Sequence, residues 1–256
     1  MIALRARPGE ERDRWGDSPA HRRKGAAPSL ASAGAGELRL QLFGEPEVSL
    51  GGCPVALRRR SATALLAYLA VTGRTHRREA LATLLSDDVA DDQAGRLLCN
   101  AVYELRSAIG DHLRVTPQEV GLNPALSRWL DVAAFRTSLT AALGAGDVHG
   151  IREALPLYRD ELLDGVTPRD APQFEAWLLQ QREELLLLAV RGLQALVDHH
   201  ARHGPPEAGI AAARRLLALE PWREEAHRRL MVLLARDGQR SAALKQFEVC
   251  RRILAE

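Results

Sequence analysis

The spacing of apolar and polar positions changes period along this chain. After residue 36, the stretches "ELRLQLFG", "PEVSL" and "CPVAL" are separated by Gly and Pro turn signals, and Leu38, Leu40 and Leu42 alternate with other residues. A two-residue period of this kind predicts short strands with one buried face. The period then lengthens. In "RRRSATALLAYLAVTG", Leu65, Leu66 and Leu69 fall at helical spacing and Gly73 supplies a stop, and in "THRREALATLL" Leu81, Leu84 and Leu85 do the same. A third helix is predicted over "LLCNAVYELRSAIG", where Leu98, Val102, Leu105 and Ile109 step by four, three and four and so form one buried stripe. The pieces "HLRVT" and "VGLNP", joined by the polar turn "PQE", predict a β-hairpin.

Sheet, three helices and hairpin, in that order, describe a winged helix-turn-helix with a leading antiparallel sheet. In such a fold the third helix enters the major groove of DNA, and the hairpin, or wing, lies against the backbone beside it. From "LDVAAFRTSLTAALGAGD" onward only helical spacing is found. One long helix is predicted from about Pro172, which suits a first turn, to His203, with Gly204 as the stop. "EAGIAAARRLLALEP", "REEAHRRLMVLLARDG" and "RSAALKQFEVCRRILAE" follow as further helices. Gly204 and Gly238 lie 34 positions apart, the tetratricopeptide period, and Leu230, Ala243 and Phe247 sit where that repeat places its packing residues. The first copy departs from the pattern at Gly209 and Ala213. The expected architecture is therefore mainly α: a disordered tail over residues 1–36, a winged helix with a small antiparallel sheet over 37–130, and an all-α, tetratricopeptide-like domain over 131–256.

Composition narrows the chemistry. Residues of the AVILMFWYC set make up 46% of the chain but aromatics only 4%, so the core rests on Leu, Ala and Val, which favours packed helices over a β-sandwich. The tail is basic, with seven Arg or Lys against four Asp or Glu, whereas residues 37–144 hold twelve of each sign and residues 145–256 hold sixteen basic against seventeen acidic. Any contact with nucleic acid must then come from local patches rather than bulk charge. Cys53, Cys99 and Cys250 are widely spaced and form no CxxC pair, which argues against a disulfide framework and a zinc knuckle and fits a reduced cytoplasm. No apolar run has the length of a membrane span, and the basic N-terminus lacks the apolar segment of a secretion signal, so a soluble cytoplasmic protein with no membrane partner is expected. There is no P-loop, no GxSxG and no kinase motif set. "GAGDVHG" follows a helix rather than a strand, so it reads as a helix stop and start, not a dinucleotide loop. His199 and His203 share a helix face at i and i+4, but a third metal ligand is missing and a polar helix end accounts for them. No enzyme activity, metal or cofactor is expected.

With these residues in view, the chain resembles the SARP/AfsR-type bacterial regulators, in which an OmpR-like winged helix precedes a bacterial transcriptional activation domain. The likeness runs from about residue 37 to the end and rests on "LRLQLFGEPEVSL", "RRRSATALLAYLAVTGRTHRREALATLL", "LDVAAFRTSL", "YRDELLDGV", "FEAWLLQQREELLLLAV" and "EPWREEAHRRLMVLLARDGQRSAALKQFEVCRRILAE", taken in order. The resemblance implies a transcription activator that binds promoter DNA and contacts RNA polymerase or a second protomer. Larger members of the family continue into further domains. This chain departs from the family at Ser86, where a Trp is usual, and at Cys99, Asn100 and Ser107, on a helix that is commonly basic.

The candidate DNA-binding residues follow from the pattern. Arg59 and Arg60 precede the first helix, and Arg77 and Arg78 open the second; cations at helix N-termini suit phosphates and position a domain without reading sequence. Arg96, Asn100, Tyr103 and Ser107 share one face of the third helix, opposite the leucine stripe. There Asn100 has the donor and acceptor geometry for adenine, and Arg96 that for guanine. Against them stands the acidic loop of Asp87, Asp88, Asp91 and Asp92. Two readings stay open on these residues alone: a DNA-binding regulator, or a protein-interaction and signal-relay module whose winged helix serves as a scaffold.

Overall fold

The computed structural model describes residues 36–86, 91–168, 170–253 and 255. The tail expected to be disordered lies outside the described residues except for Gly36, as do Asp87 and Asp88 of the acidic loop.

The alternating leucines form the first strand. β1 (Leu38–Gln41), β2 (Glu47–Leu50) and β3 (Cys53–Pro54) make an antiparallel meander in which Leu38 pairs with Leu50 and Leu40 with Val48. Leu38 and Leu40 are fully buried, whereas Arg39 points away and stacks on Trp129 at 4.6 Å. The sheet has a member that the local pattern does not reveal: β7 (Arg128–Leu130) joins the far edge, parallel to β1, giving the order β3-β2-β1-β7.

Three helices follow as expected. α1 (Arg60–Thr72) buries Leu65, Leu66 and Leu69 among alanines and ends at Gly73, whose left-handed φ of 67° turns its N–H onto the Leu69 carbonyl. α2 (Arg78–Leu85) buries Leu81, Leu84 and Leu85. α3 (Asp91–Ile109) directs Leu98, Val102, Leu105 and Ile109 inward. The hairpin is present as β5 (Leu113–Val115) and β6 (Glu119–Leu122). A short strand, β4 (His76–Arg77), pairs with β6 and ties the start of α2 to the wing.

The remainder is built from α4 (Asp131–Ala145), α5 (Val148–Ala154), α6 (Pro172–Arg202), α7 (Pro206–Leu219), α8 (Glu224–Arg236) and α9 (Arg240–Ile253). Pro172 occupies the first turn of α6, and the helix ends just before Gly204, whose φ is +92°. At 31 residues it is about 45 Å long and forms the spine on which α4, α5, α7 and α8 pack. Gly209 has a packing reason: a Cβ there would lie 2.7 Å from His200 Cβ and 3.0 Å from the Leu233 side chain, so only glycine lets α7 approach α6 and α8 this closely. Leu230 is buried and Ala243 half-buried. Phe247 corrects the repeat-based expectation: it is 52% exposed, because α9 is the last described helix and no further one stacks on its outer face.

Helical spacing is also interrupted after α5. The segment 158–166 is a strap hydrogen-bonded to the end of β1: Leu163 N–H donates to Leu42 O at 2.8 Å, and Gly44 N–H donates to Glu161 O at 2.7 Å. Beside it, Asp131 at the start of α4 is buried and accepts from the backbone N–H groups of Leu42 (2.8 Å) and Phe43 (3.1 Å), with Arg159 at 4.0 Å. Burial pushes its carboxyl above the ordinary range, although these donors and Arg159 pull the other way. Phe43, Phe135 and Tyr158 cluster around this junction at centroid distances of 5.1 to 5.6 Å. Tyr68 of α1 meets Trp177 of α6 at 4.9 Å. Winged helix and helical half thus share one apolar core, and from Gly36 onward the described residues belong to one compact unit.

Candidate nucleic-acid interface

Because the leucine stripe of α3 is satisfied inside, the opposite face is left to solvent. At about 100° per residue, Arg96, Asn100, Tyr103 and Ser107 fall within an arc of roughly 60°. All four are exposed, Tyr103 to 76%. Asn100, at one edge of this arc, offers both amide donors and a carbonyl acceptor, and Tyr103, at the other, offers a ring edge and a hydroxyl.

One flank of the face is closed by a clasp. Glu104 lies one position round from Tyr103, and its carboxylate accepts from the backbone N–H groups of Arg58 and Arg59 and pairs with the Arg59 guanidinium at 3.1 Å. It thereby serves as the acceptor for the N-terminus of α1, whose own cap position is Arg59, a residue with no side-chain acceptor. Burial would raise the pKa of Glu104, but the donors from Arg58 and Arg59 outweigh it and hold the carboxyl below its usual range. Arg59 is thus engaged within the fold, while Arg60 beside it is exposed and meets no carboxylate among the described residues.

The other flank is reached from the start of α2. Arg77 ends β4, exposed and opposite Glu119 in the ladder, and Arg78 is half-buried at the start of α2. The Arg78 backbone N–H donates to Gln118 O in the wing turn at 2.9 Å, whereas its side chain leaves the wing and reaches α3, with Nη2 3.5 Å from Cys99 Sγ. The wing turn is locked by Thr116, whose hydroxyl accepts from Glu119 N–H at 2.9 Å. Arg77, Arg78 and Glu79 line a shallow cleft of about 350 Å³ with Pro117, Gln118 and Glu119. Arg114 on β5 is exposed, as strand alternation after the buried Leu113 requires. It was legible from that alternation, as was Arg106 from its exposed position on α3; the contact between Arg78 and Cys99 has no local sequence signal.

The structure therefore brings Arg78 against Cys99, at the edge of the α3 face that carries Arg96, Asn100, Tyr103 and Ser107, sets Arg77 at the wing, and engages Arg59 on Glu104. Ser86, at the position of the missing Trp, is buried and lines a cleft of about 530 Å³ with Arg59, Arg60, Gln93 and Pro168 among others. Elsewhere, the rings of His199 and His203 lie 5.8 Å apart at the end of α6. Among the described residues no group of three or more His, Cys, Asp or Glu is placed to hold a metal, and no helix is long and apolar enough to cross a membrane.

Residues 130–256 match the family model of the bacterial transcriptional activator domain, BTAD. Comparison with curated proteins gives no match. Among solved structures, Mycobacterium tuberculosis EmbR, in complex with a low-affinity phosphopeptide, is similar with a TM-score of 0.62 and 23% identity, over 85% of this chain and 59% of that one. At this identity the likeness is one of fold, and the chain spans under two thirds of that relative's length.

Proposed function

We propose that the chain, whose residues 130–256 match the bacterial transcriptional activator domain model and follow a winged helix, is a SARP-type regulator that activates transcription by binding promoter DNA. In this reading residues 37–130 dock on DNA, with α3 in the major groove and the wing over the adjoining backbone, while residues 131–256 contact RNA polymerase or a second protomer. The observation that carries it is the exposed polar face of α3, together with Arg77 on β4 and Arg114 on β5, which are exposed and meet no carboxylate among the described residues. Arg96 and Asn100 would read base edges, with Tyr103 and Ser107 beside them. Arg60 and Arg77 would hold phosphates, and Arg59, through Glu104, would fix the angle of α1 against the groove helix.

The test is a binding assay of the full chain on genomic fragments, titrated with salt and challenged with unrelated competitor DNA. Binding to a subset of fragments that survives competitor and weakens linearly with the logarithm of salt concentration supports the reading. Equal, competitor-sensitive binding to all fragments, or none, replaces it with the interaction-module reading.

A further inference from the structure

The central face of α3 carries one cation of its own, Arg96, among Asn100, Tyr103 and Ser107. The structure supplies a second from a neighbouring helix. Arg78 is anchored through its backbone to the wing turn, yet its guanidinium lies across α3 against Cys99 Sγ at 3.5 Å. Cys99 is exposed, adjacent to Asn100, three positions after Arg96 and four before Tyr103. Arg77, exposed at the end of β4, is placed as a cation that positions the domain on phosphate would be. Arg78 instead runs sideways to Cys99, at the edge of the face that carries Arg96, Asn100 and Tyr103.

We infer that Arg78 is a specificity-determining residue that reads a guanine, next to the base read by Asn100, and does not act as a phosphate clamp; this rests on the DNA-binding reading above. The chemistry favours it. The guanidinium is a planar fork with several N–H donors, of which the thiol, a weak acceptor, takes one, leaving a pair for the O6 and N7 of guanine. Half-buried, and directed toward α3 by the Cys99 contact, the side chain already points to the side from which it would read the base. The weakly basic α3 noted in the sequence is then only part of the reading surface, which is completed from α2.

The experiment selects duplexes from a library with a randomised core, using the full chain. Wild type is expected to enrich a motif with guanine at a defined position. Arg78→Lys keeps the charge and loses the fork; preference for that guanine should fall about tenfold or more, with binding to a fixed unselected duplex and its salt dependence unchanged. Cys99→Ala, which loosens the guanidinium without removing it, should weaken the same position by a smaller factor, and Arg77→Lys should leave the motif as it was. Circular dichroism confirms that each variant is folded. An Arg78→Lys protein that selects the wild-type motif with undiminished preference overturns the assignment, as does an Arg78→Ala protein that weakens all duplexes alike. A wild type that binds without enriching any motif, or does not bind, overturns the DNA reading along with it.

Discussion

The two halves of the chain have nearly the same charge balance but differ in how many of their arginines are paired with carboxylates, the helical half pairing more of them. In the helical half, Arg136 meets Glu184, Arg182 meets Glu161, Arg223 meets Glu220, Arg228 and Arg229 meet Glu225, and Arg251 meets Glu248, while the exposed Arg191, Arg214, Arg240 and Arg252 meet no carboxylate among the described residues. In the winged helix, Arg60, Arg77, Arg106 and Arg114 meet none among the described residues. A count of twelve basic against twelve acidic residues over 37–144 suggests a surface indifferent to DNA. What a phosphate encounters, however, is the local field, and a cation already paired with a carboxylate contributes little to it. The difference teaches that the capacity to bind a polyanion depends on which charges are left unpaired.

The largest effect tests whether the halves are one body at all. Asp131→Ala should cost roughly 3 kcal/mol in urea unfolding, because it leaves the buried N–H groups of Leu42 and Phe43 without an acceptor where the strap, sheet and α4 meet. A loss below about 1 kcal/mol, or two separate unfolding transitions, would show that the halves are independent and the comparison is between two domains. Next in size, Asn100→Ala should remove about 1 to 3 kcal/mol of discrimination at one base position while leaving stability unchanged, since it lies off the Leu98, Val102, Leu105 and Ile109 stripe. If it unfolds the protein instead, the face assignment is wrong.

Arg77→Ala and Arg228→Ala put the comparison itself at risk. Losing the unpaired Arg77 should weaken binding to all duplexes and lower the salt slope by about one. Losing the paired Arg228 should leave DNA binding untouched and change stability by less than about 1 kcal/mol. Equal effects on DNA binding would end the distinction.

A gentler effect is expected with pH. His76 in the winged helix and His200 in the helical half are both held below the usual imidazole value of 6.5, His76 by burial and then by Arg74, His200 by burial and then by His199 and Arg152. The unfolded chain therefore takes up protons first. Stability should be full above pH 6.5 and decline as pH falls below it, through the lowered folded values. Urea midpoints measured across this range should show the decline, and His76→Gln and His200→Gln should each flatten part of it. A midpoint that rises on acidification contradicts the assignment.

Much of this molecule could be read from local pattern because local pattern is what makes a helix. Four apolar residues at steps of four, three and four have one way to be buried together, so the inward side of α3 and, by exclusion, its outward side followed directly. Pro172 and Gly204 bracket α6 because one lacks the N–H a helix interior needs and the other adopts a positive φ without strain. Other features join residues far apart in the chain and carry no local mark. β7 pairs with a strand some ninety positions earlier. The clasp of Arg59 on Glu104 and the turn of Arg78 toward Cys99 each depend on where a second helix lies once the core has packed. Helices, turns and the identity of the buried face were thus determined by the sequence, through backbone geometry and the period of its apolar positions. Which arginines remain unpaired, and which side chain from α2 completes the face of α3, was decided only by the tertiary structure, because charge pairing depends on distances that packing alone sets.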